Sequence, residues 1–341
     1  MSRKIYIRSF LIALVLIVGS TFYYLPYYVT KPGMAQELEP IVTVEGGDKA
    51  EGSFMLTTIR MGKANIYSYA IAKFSDYQEL FAEKDIRIEN ESDEEYNLRQ
   101  LHMMDGSKNH AIQVAYKKAG KSITFDYHGV YVLGIMEGMP AAEALNPGDQ
   151  IIKVDHLKFR SSQEFIEYVA EKKEGDEVEI VYLRNNKEQT AKMRLKAFKE
   201  QPEKIGIGIS LEDDKSPVTN PAIKIDSEQI GGPSAGLMFS LEIYNQLTKG
   251  DLTKGYRIAG TGTMSEDGTV GPIGGIQQKI VAADKSGAGI FFAPNERGSQ
   301  NSNYGEALVA AKDIKTKMKI VPVDTFDDAR TYLENLPYKN K

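Results

Sequence analysis

The sequence predicts an α/β (α+β) carboxy-terminal domain, a small β-rich domain before it, and one amino-terminal transmembrane helix. Three observations predict this arrangement. The amino terminus contains a long uncharged stretch with an apolar centre, residues 127–198 show short strands around one helix, and the final third combines strands with helices. A chain of 341 residues is long enough for two domains of the usual size, roughly 100–200 residues each.

The composition limits the classes of function. Hydrophobic residues make up 42% and charged residues 26% of the chain, which is typical of globular proteins. Cysteine is absent, and this excludes disulfide frameworks, thiolate metal sites and cysteine nucleophiles. A formal net charge of −5 provides no basic field for a phosphate backbone, so we expect no nucleic-acid partner. We also expect no metal and no other cofactor.

The amino terminus predicts a membrane anchor. No charged residue lies between Arg8 and Lys31, and a helix of this length spans roughly 30 Å, the thickness of a bilayer core. Because basic residues precede the stretch, the positive-inside rule predicts a cytoplasmic tail at residues 1–8 and a single-pass signal-anchor in the cell membrane at residues 9–30. The remaining chain is then extracytoplasmic. A cleaved signal peptide with a weak site at residues 18–20 is the alternative.

Residues 31–120 form an extracytoplasmic amino-terminal region in this prediction. Strand-like residues 41–44 and 54–59 flank two glycines and predict a β-hairpin. We hypothesise that these strands pair with the carboxy-terminal domain across the intervening residues. Residues 75–115 have the pattern of a helix with interleaved charges, and no catalytic motif stands out among them.

A change of pattern marks a second domain at residues 121–200. Its predicted elements are strands at 129–133, 150–154, 178–183 and 191–195 and a helix from Ser161 to about Lys173. The run from Gly138 to Asp155, with Pro147-Gly148-Asp149 in its centre, resembles the PDZ domains found beside bacterial proteases.

The PDZ resemblance implies peptide binding. In such a domain an extended peptide adds as a strand to an exposed sheet edge. Here we expect it to face the helix at residues 161–173 and to pair beside Gly129, Val130, Tyr131 and Val132. His156 stands where these domains usually have glycine, so we expect a reshaped turn there. A small β-rich domain that only packs on its neighbour is the alternative.

Glycine-rich residues 231–236 precede the helical pattern of residues 237–247. Ser234 therefore lies at or just before a helix amino terminus, where free backbone N–H groups and the helix dipole favour an oxyanion. The flanking glycines allow a substrate backbone to approach closely. The alternative interpretation is a serine that only caps the helix.

Few residue types remain as a base for Ser234. The motif Gly-x-Ser-x-Gly at residues 232–236 suggests an α/β-hydrolase, in which the serine, the acid and the histidine follow one another along the chain. All 4 histidines precede Ser234, which excludes this order. Lysine is then the simplest base. Lys279 borders an apolar stripe on a helix predicted from Ile276 to Ser286, and burial there would lower its pKa. A lysine that reaches out to solvent is the alternative.

Several separated blocks resemble the proteolytic domain of Lon-type serine proteases. The blocks are Gly232–Gly236, Thr261-Gly262, Gly274-Gly275 followed by Lys279, and Ala293-Pro294-Asn295. We place this domain at residues 201–341. The resemblance implies that Ser234 is the nucleophile, Lys279 its general base and Thr261 a residue that orients the lysine. Gly232 and Ala235 are expected beside the substrate.

The chain differs from this family at two positions and in having no recognisable ATPase motif. Gly231 and Thr263 stand where many Lon enzymes carry acidic residues, so no acidic role is carried over. The ATPase motif Gly-x4-Gly-Lys-Ser/Thr is absent from the sequence, and we expect no ATP to be used. An anchor, a PDZ domain and a Lon-type domain together are similar to the YlbL and SepM proteins of Gram-positive bacteria.

The combination predicts a membrane-anchored, ATP-independent serine endopeptidase that cleaves exported peptides or flexible segments of cell-surface proteins. The PDZ domain would capture these substrates. One alternative is a catalytically inactive, PDZ-type peptide-binding surface protein. A second is a Ser–His hydrolase that borrows His128 or His156. The oligomeric state is not predicted.

Overall fold

A computed structural model describes residues 3–88, 91–227 and 230–339. The helices are α1 (Arg3–Thr21), α2 (Ile66–Ala72), α3 (Glu83–Ile86), α4 (Asp93–Lys118), α5 (Ser162–Ala170), α6 (Gly236–Leu247), α7 (Ile276–Lys285), α8 (Asn303–Asp313) and α9 (Phe326–Glu334), with 3-10 turns at Pro140–Glu143 and Glu296–Gly298. The first strands are β1 (Tyr24–Glu37), β2 (Val42–Val44), β3 (Ser53–Asn65), β4 (Glu79–Ala82), β5 (Ser122–Ile135), β6 (Gln150–Val154), β7 (Glu177–Arg184) and β8 (Lys187–Arg194). The remaining strands are β9 (Lys196–Phe198), β10 (Gln201–Gly206), β11 (Ile209–Asn220), β12 (Ile223–Ile225), β13 (Arg257–Gly260), β14 (Thr263–Met264), β15 (Val270–Gly271), β16 (Ile290–Pro294) and β17 (Lys319–Val323).

A six-stranded sheet in the order β17-β16-β13-β3-β1-β4 forms the centre of the carboxy-terminal domain. Its strands β17, β16, β13 and β3 run parallel, whereas β1 and β4 are antiparallel to their neighbours. Successive residues of a strand point to opposite faces. Phe54 and Phe292 accordingly pack in one core cluster with α6, and Met55 and Phe291 pack in another with α7 and α8. The sheet is thus covered by helices on both faces, as the α/β prediction requires.

The amino-terminal strands contribute directly to this domain. Strand β3 pairs with β13 through Ser53↔Arg257 to Leu56↔Gly260, and β2 pairs with β12. The predicted hairpin of residues 41–44 and 54–59 is wrong, because the two segments belong to different sheets. Each segment pairs instead with a strand of the carboxy-terminal domain, β2 with β12 and β3 with β13, and both contribute to the same core cluster.

The anchor prediction for residues 9–30 extends too far. Helix α1 ends at Thr21, and from Tyr24 the chain is the strand β1, which pairs with both β3 and β4. Aromatic and β-branched residues favour a strand here, and Tyr28 and Val29 are buried in the sheet. Within the described residues, none of the helices combines the length and the apolar character needed to cross a membrane.

The predicted helix at 75–115 is only partly correct. Residues 79–82 form the strand β4, and the long helix α4 begins at Asp93. A capping box fixes this start, because the Ser92 hydroxyl accepts the Glu95 N–H and the Glu95 carboxylate accepts the Ser92 N–H. Helix α4 packs on α6, and it therefore reaches the carboxy-terminal domain.

The predicted β-rich domain is an antiparallel sheet in the order β11-β5-β6-β7-β8, with α5 against it. Strand β11 lies beyond the predicted boundary at residue 200, so this sheet extends to Asn220. The turn at His156 is indeed unusual, but the residue with positive φ is its neighbour Asp155, at 49°. The Asp155 carboxylate accepts the Glu179 N–H and the Tyr168 hydroxyl, which holds this turn.

Candidate active site

Ser234 lies in the loop that enters α6, two residues before the first helical residue. Gly236 permits this loop to approach the strand β14, since a Cβ at Gly236 would lie only 2.9 Å from the backbone N of Met264. The carbonyl of Ser234 accepts the Gly262 N–H at 2.9 Å and the Thr261 hydroxyl at 3.0 Å. These hydrogen bonds hold the peptide that follows the serine, while the Ser234 side chain is half-buried at a cleft.

Lys279 lies in the first turn of α7 with its side chain directed into the protein, and the residue is 2% exposed. Its Nζ is 2.8 Å from the Oγ of Ser234. It is also 3.0 Å from the Thr261 hydroxyl oxygen and 3.0 Å from the Thr57 carbonyl oxygen. The structure thus brings together the three residues that the sequence predicted as catalytic.

Burial decides the protonation of this lysine. Desolvation lowers the pKa of Lys279 from 10.5 to about 7, since burial disfavours the charged ammonium. Its three polar partners are two hydroxyls and a carbonyl, and none of them carries a negative charge that would restore the ammonium. Near neutral pH a substantial fraction of the amine is unprotonated.

Sequence reasoning missed Thr57. This residue lies in β3, is 4% exposed, and its hydroxyl donates to the Gly260 carbonyl at 3.0 Å while its own carbonyl accepts from Lys279. A backbone carbonyl has no signature in a sequence. The only available signal was the expectation that residues 54–59 join the carboxy-terminal domain.

The reactive atoms open onto a cleft of about 780 Å³. Its walls are β3, the loop before α6, and α4; the α4 wall consists of Tyr96, Asn97, Gln100, Leu101 and Met104. Gly232 and Ala235, predicted beside the substrate, both line this cleft. A cleft of this size accommodates an extended segment of several residues rather than a folded domain.

The predicted peptide strand at Gly129, Val130, Tyr131 and Val132 is wrong. These residues belong to β5, an interior strand, whose two edges pair with β11 and with β6. A peptide cannot add to a strand that has no free edge. The edge strand beside the helix is instead β11, and the Ser162 N–H of α5 donates to the Asp213 carboxylate at 3.0 Å.

The two histidines of the Ser–His alternative make their contacts elsewhere. His128 contacts the Ser216 hydroxyl at 3.0 Å, His156 packs edge-on against Tyr168, and no histidine of the described residues lines the cleft. The Ser–His alternative therefore lacks a base within reach in this structure.

Two segments of the chain match models of known protein families. Residues 221–333 match the Lon protease (S16) C-terminal proteolytic domain, and residues 91–195 match the PDZ domain. The chain thus carries a segment similar to the Lon-type proteolytic domain together with a segment similar to the PDZ domain.

Parts of the chain are also similar to individual proteins. Lon protease from Campylobacter concisus is 39% identical over 98 residues, which is 28% of this chain and 11% of that protein. Lon protease from Trichlorobacter lovleyi is 34% identical over 107 residues, 31% of this chain and 12% of that protein. The chain therefore spans only about a tenth of the length of these relatives. The PDZ domain of an SdrC-like protein from Listeria monocytogenes has 44% sequence identity, covering 25% of this chain and 90% of that one, with a TM-score of 0.24.

Proposed function

We propose that this chain is an ATP-independent serine endopeptidase in which Ser234 is the nucleophile and Lys279 the general base. One observation carries the proposal: the buried Nζ of Lys279 lies 2.8 Å from the Oγ of Ser234, and burial lowers the pKa of this amine to about 7. A general base works best when its pKa is near the working pH and it is within hydrogen-bond reach of the proton that it removes.

The hydrogen bonds around Lys279 support the direction of proton transfer. A neutral amine has two hydrogens and one lone pair. The Thr57 carbonyl can only accept, and Thr261 already donates its hydroxyl proton to the Ser234 carbonyl, so each accepts one amine hydrogen. The lone pair is left facing the third partner, the Ser234 hydroxyl. Thr261 is thus proposed to orient the base.

The chemistry is an acyl transfer in two stages. Lys279 takes the Ser234 proton as Oγ attacks the peptide carbonyl, and backbone N–H groups at the start of α6 stabilise the resulting oxyanion. The C–N bond breaks as the lysine returns that proton to the leaving amine. Water, deprotonated by Lys279, then attacks the acyl ester, and the Ser234 hydroxyl is regenerated as the acid product leaves.

The substrates are proposed to be peptides and flexible or locally unfolded segments of proteins. The cleft admits an extended chain, and the sequence offers no ATPase motif that would unfold a stable domain. Segments with low local stability expose their backbone spontaneously and meet this requirement.

The PDZ sheet is proposed to capture these substrates at β11 rather than at residues 129–132. Strand β11 supports this role because it is the edge strand beside α5. Hydrogen exchange of a Ser234→Ala chain with an unstructured polypeptide tests the assignment. We expect slower exchange at residues 209–214; unchanged exchange there would exclude β11 as the binding edge.

We also propose that the catalytic domain lies outside the cell membrane and that the chain is similar to the YlbL and SepM proteins. The exposed apolar side chains of α1 support membrane attachment; they include Phe10, Leu11, Ile12, Val15 and Leu16. Flotation with lipid vesicles of the full chain and of a chain lacking residues 1–21 tests attachment. Equal flotation of both would contradict it.

The decisive experiment measures cleavage of an unstructured polypeptide by the full chain and by variants. Ser234→Ala and Lys279→Ala should each reduce cleavage by at least ~10³-fold, because nucleophile and base act as one unit. Lys285→Ala is the matched control, since Lys285 is an exposed lysine at the other end of the same helix. Full activity of either site variant would contradict the proposal. Binding without cleavage by the unmodified chain would favour the inactive peptide-binding alternative.

A further inference from the structure

Helix α4 lies outside the segment that matches the proteolytic domain, yet it contacts the loop that carries the nucleophile. The Ser107 hydroxyl donates to the Pro233 carbonyl at 2.9 Å, and the Gln100 carbonyl accepts the Gly232 N–H at 2.9 Å. Ser107 is 4% exposed and does not line the cleft. A buried hydroxyl on a separate helix therefore holds the carbonyl that immediately precedes Ser234.

These contacts fix both peptide planes that flank the nucleophile. The plane between Pro233 and Ser234 is held by Ser107, and the plane between Ser234 and Ala235 is held by Thr261 and the Gly262 N–H. In a trans peptide the N–H points opposite to the C=O, so fixing the oxygen also fixes the direction of the N–H. Together the two planes set the Ser234 Cα–Cβ bond and the donors available to an oxyanion.

We infer that Ser107 is a positioning residue of the active site, which holds the Pro233–Ser234 peptide so that the serine Oγ faces Lys279 and the Ser234 N–H keeps its direction. This inference rests on the proposed function. Ser107 touches no reacting atom and acts through Pro233. Loss of its hydroxyl should leave substrate binding intact and slow the chemical step, because catalysis requires the reacting atoms to be held in their productive geometry.

The test compares the steady-state kinetics of full-length variants on a quenched fluorescent unstructured polypeptide. Ser107→Ala should lower kcat about tenfold to a hundredfold, with an unchanged KM and an unchanged midpoint of the pH profile. Ser107→Thr, which retains the hydroxyl, should restore much of kcat. If Ser107→Ala does not fold, Ser107→Cys applies the same test, since its thiol is a weaker donor of similar size.

Ser240→Ala is the matched control. Ser240 is also fully buried, and its hydroxyl donates to the Leu237 carbonyl at 2.7 Å, but this carbonyl does not flank the nucleophile. The kcat of Ser240→Ala should equal that of the unmodified chain. Unchanged kcat in Ser107→Ala, a loss confined to KM, or an equal loss in Ser240→Ala would overturn the inference. Failure of the proposed function is distinguishable, because then the unmodified chain and Ser234→Ala would show equal cleavage.

Discussion

Gly231 and Gln100 are in such close contact that a Cβ at Gly231 would lie 2.8 Å from the Cβ of Gln100 and 3.4 Å from its carbonyl carbon. Helix α4 thus occupies the space that a side chain at position 231 would need. Gly231 is the position at which many Lon enzymes carry an acidic residue. In this chain the third wall of the cleft, helix α4, leaves too little room for such a side chain.

We therefore expect Gly231→Asp to impair the enzyme. The new side chain would displace either α4 or the loop before Ser234, and overpacking of this kind typically costs about 1–3 kcal/mol. Thermal unfolding should shift to lower temperature, and cleavage should fall at least ~10-fold as the nucleophile moves. Gly62→Ala serves as the control, since nothing lies within 4 Å of a Cβ at Gly62. Normal activity of Gly231→Asp would contradict this prediction, because helix α4 would then accommodate the new side chain without disturbing the active site.

The activity should depend on pH through Lys279. Its pKa is lowered to about 7, and only the neutral amine can accept the Ser234 proton. We expect kcat/KM to be constant in mildly alkaline solution, to reach half of that value near pH 7, and to fall about tenfold per pH unit below it. His128→Ala and His156→Ala should leave this profile unchanged. Loss of the acidic limb in either variant would instead identify a histidine as the base.

Thr261→Val should slow catalysis while preserving the shape of the side chain. Thr261 is completely buried, accepts from Lys279 and donates to the Ser234 carbonyl, and valine can do neither. Unpaired buried polar groups cost about 1–3 kcal/mol, so kcat should fall roughly tenfold to a hundredfold. Thr261→Ser, which keeps the hydroxyl, should retain most of the activity. Equal rates for the valine and serine variants would exclude the proposed orienting role.

The sequence predicted much of this site because its side chains fall in recognisable blocks. Ser234 lies just before α6 and Lys279 in the first turn of α7, and the glycine-containing blocks that resemble Lon-type domains imply the role of each. The Thr57 carbonyl and the Ser107 hydroxyl were missed for a physical reason. Each belongs to a segment far away in the chain and acts through a single backbone or hydroxyl oxygen, which leaves no periodicity and no motif.

Two errors in the fold have equally specific causes. The anchor prediction reaches residue 30 because no charge occurs before Lys31. In the structure the chain from Tyr24 is the strand β1, whose pairing with β3 and β4 is accompanied by burial of Tyr28 and Val29. Strand β11 was not identified because its sequence is mostly polar, contains a proline and lacks the alternation of apolar residues that indicates a strand. As a consequence, the sequence pointed to β5 as the open edge of the PDZ sheet, which β11 in fact covers.

Glu242 provides a prediction about stability that is independent of catalysis. It is buried in α6, where desolvation raises its pKa from 4.5 to about 7, with smaller contributions from Glu39 and Asp251. The folded state therefore keeps a proton that the unfolded state releases above pH 4.5. This contribution to stability is fully present below that pH and is lost as the pH rises through 7.

Glu242→Gln should remove this pH dependence. Glutamine cannot ionise, and its amide oxygen can still accept the Gln246 side-chain N–H that Glu242 accepts now. We expect the variant to be more stable than the unmodified chain at pH 8 by about 1–3 kcal/mol and equally stable at pH 4, as measured by denaturant unfolding. Glu45→Gln, at an exposed position, should show no such difference. A gain at pH 4 as large as that at pH 8 would mean that packing, rather than ionisation of Glu242, is responsible.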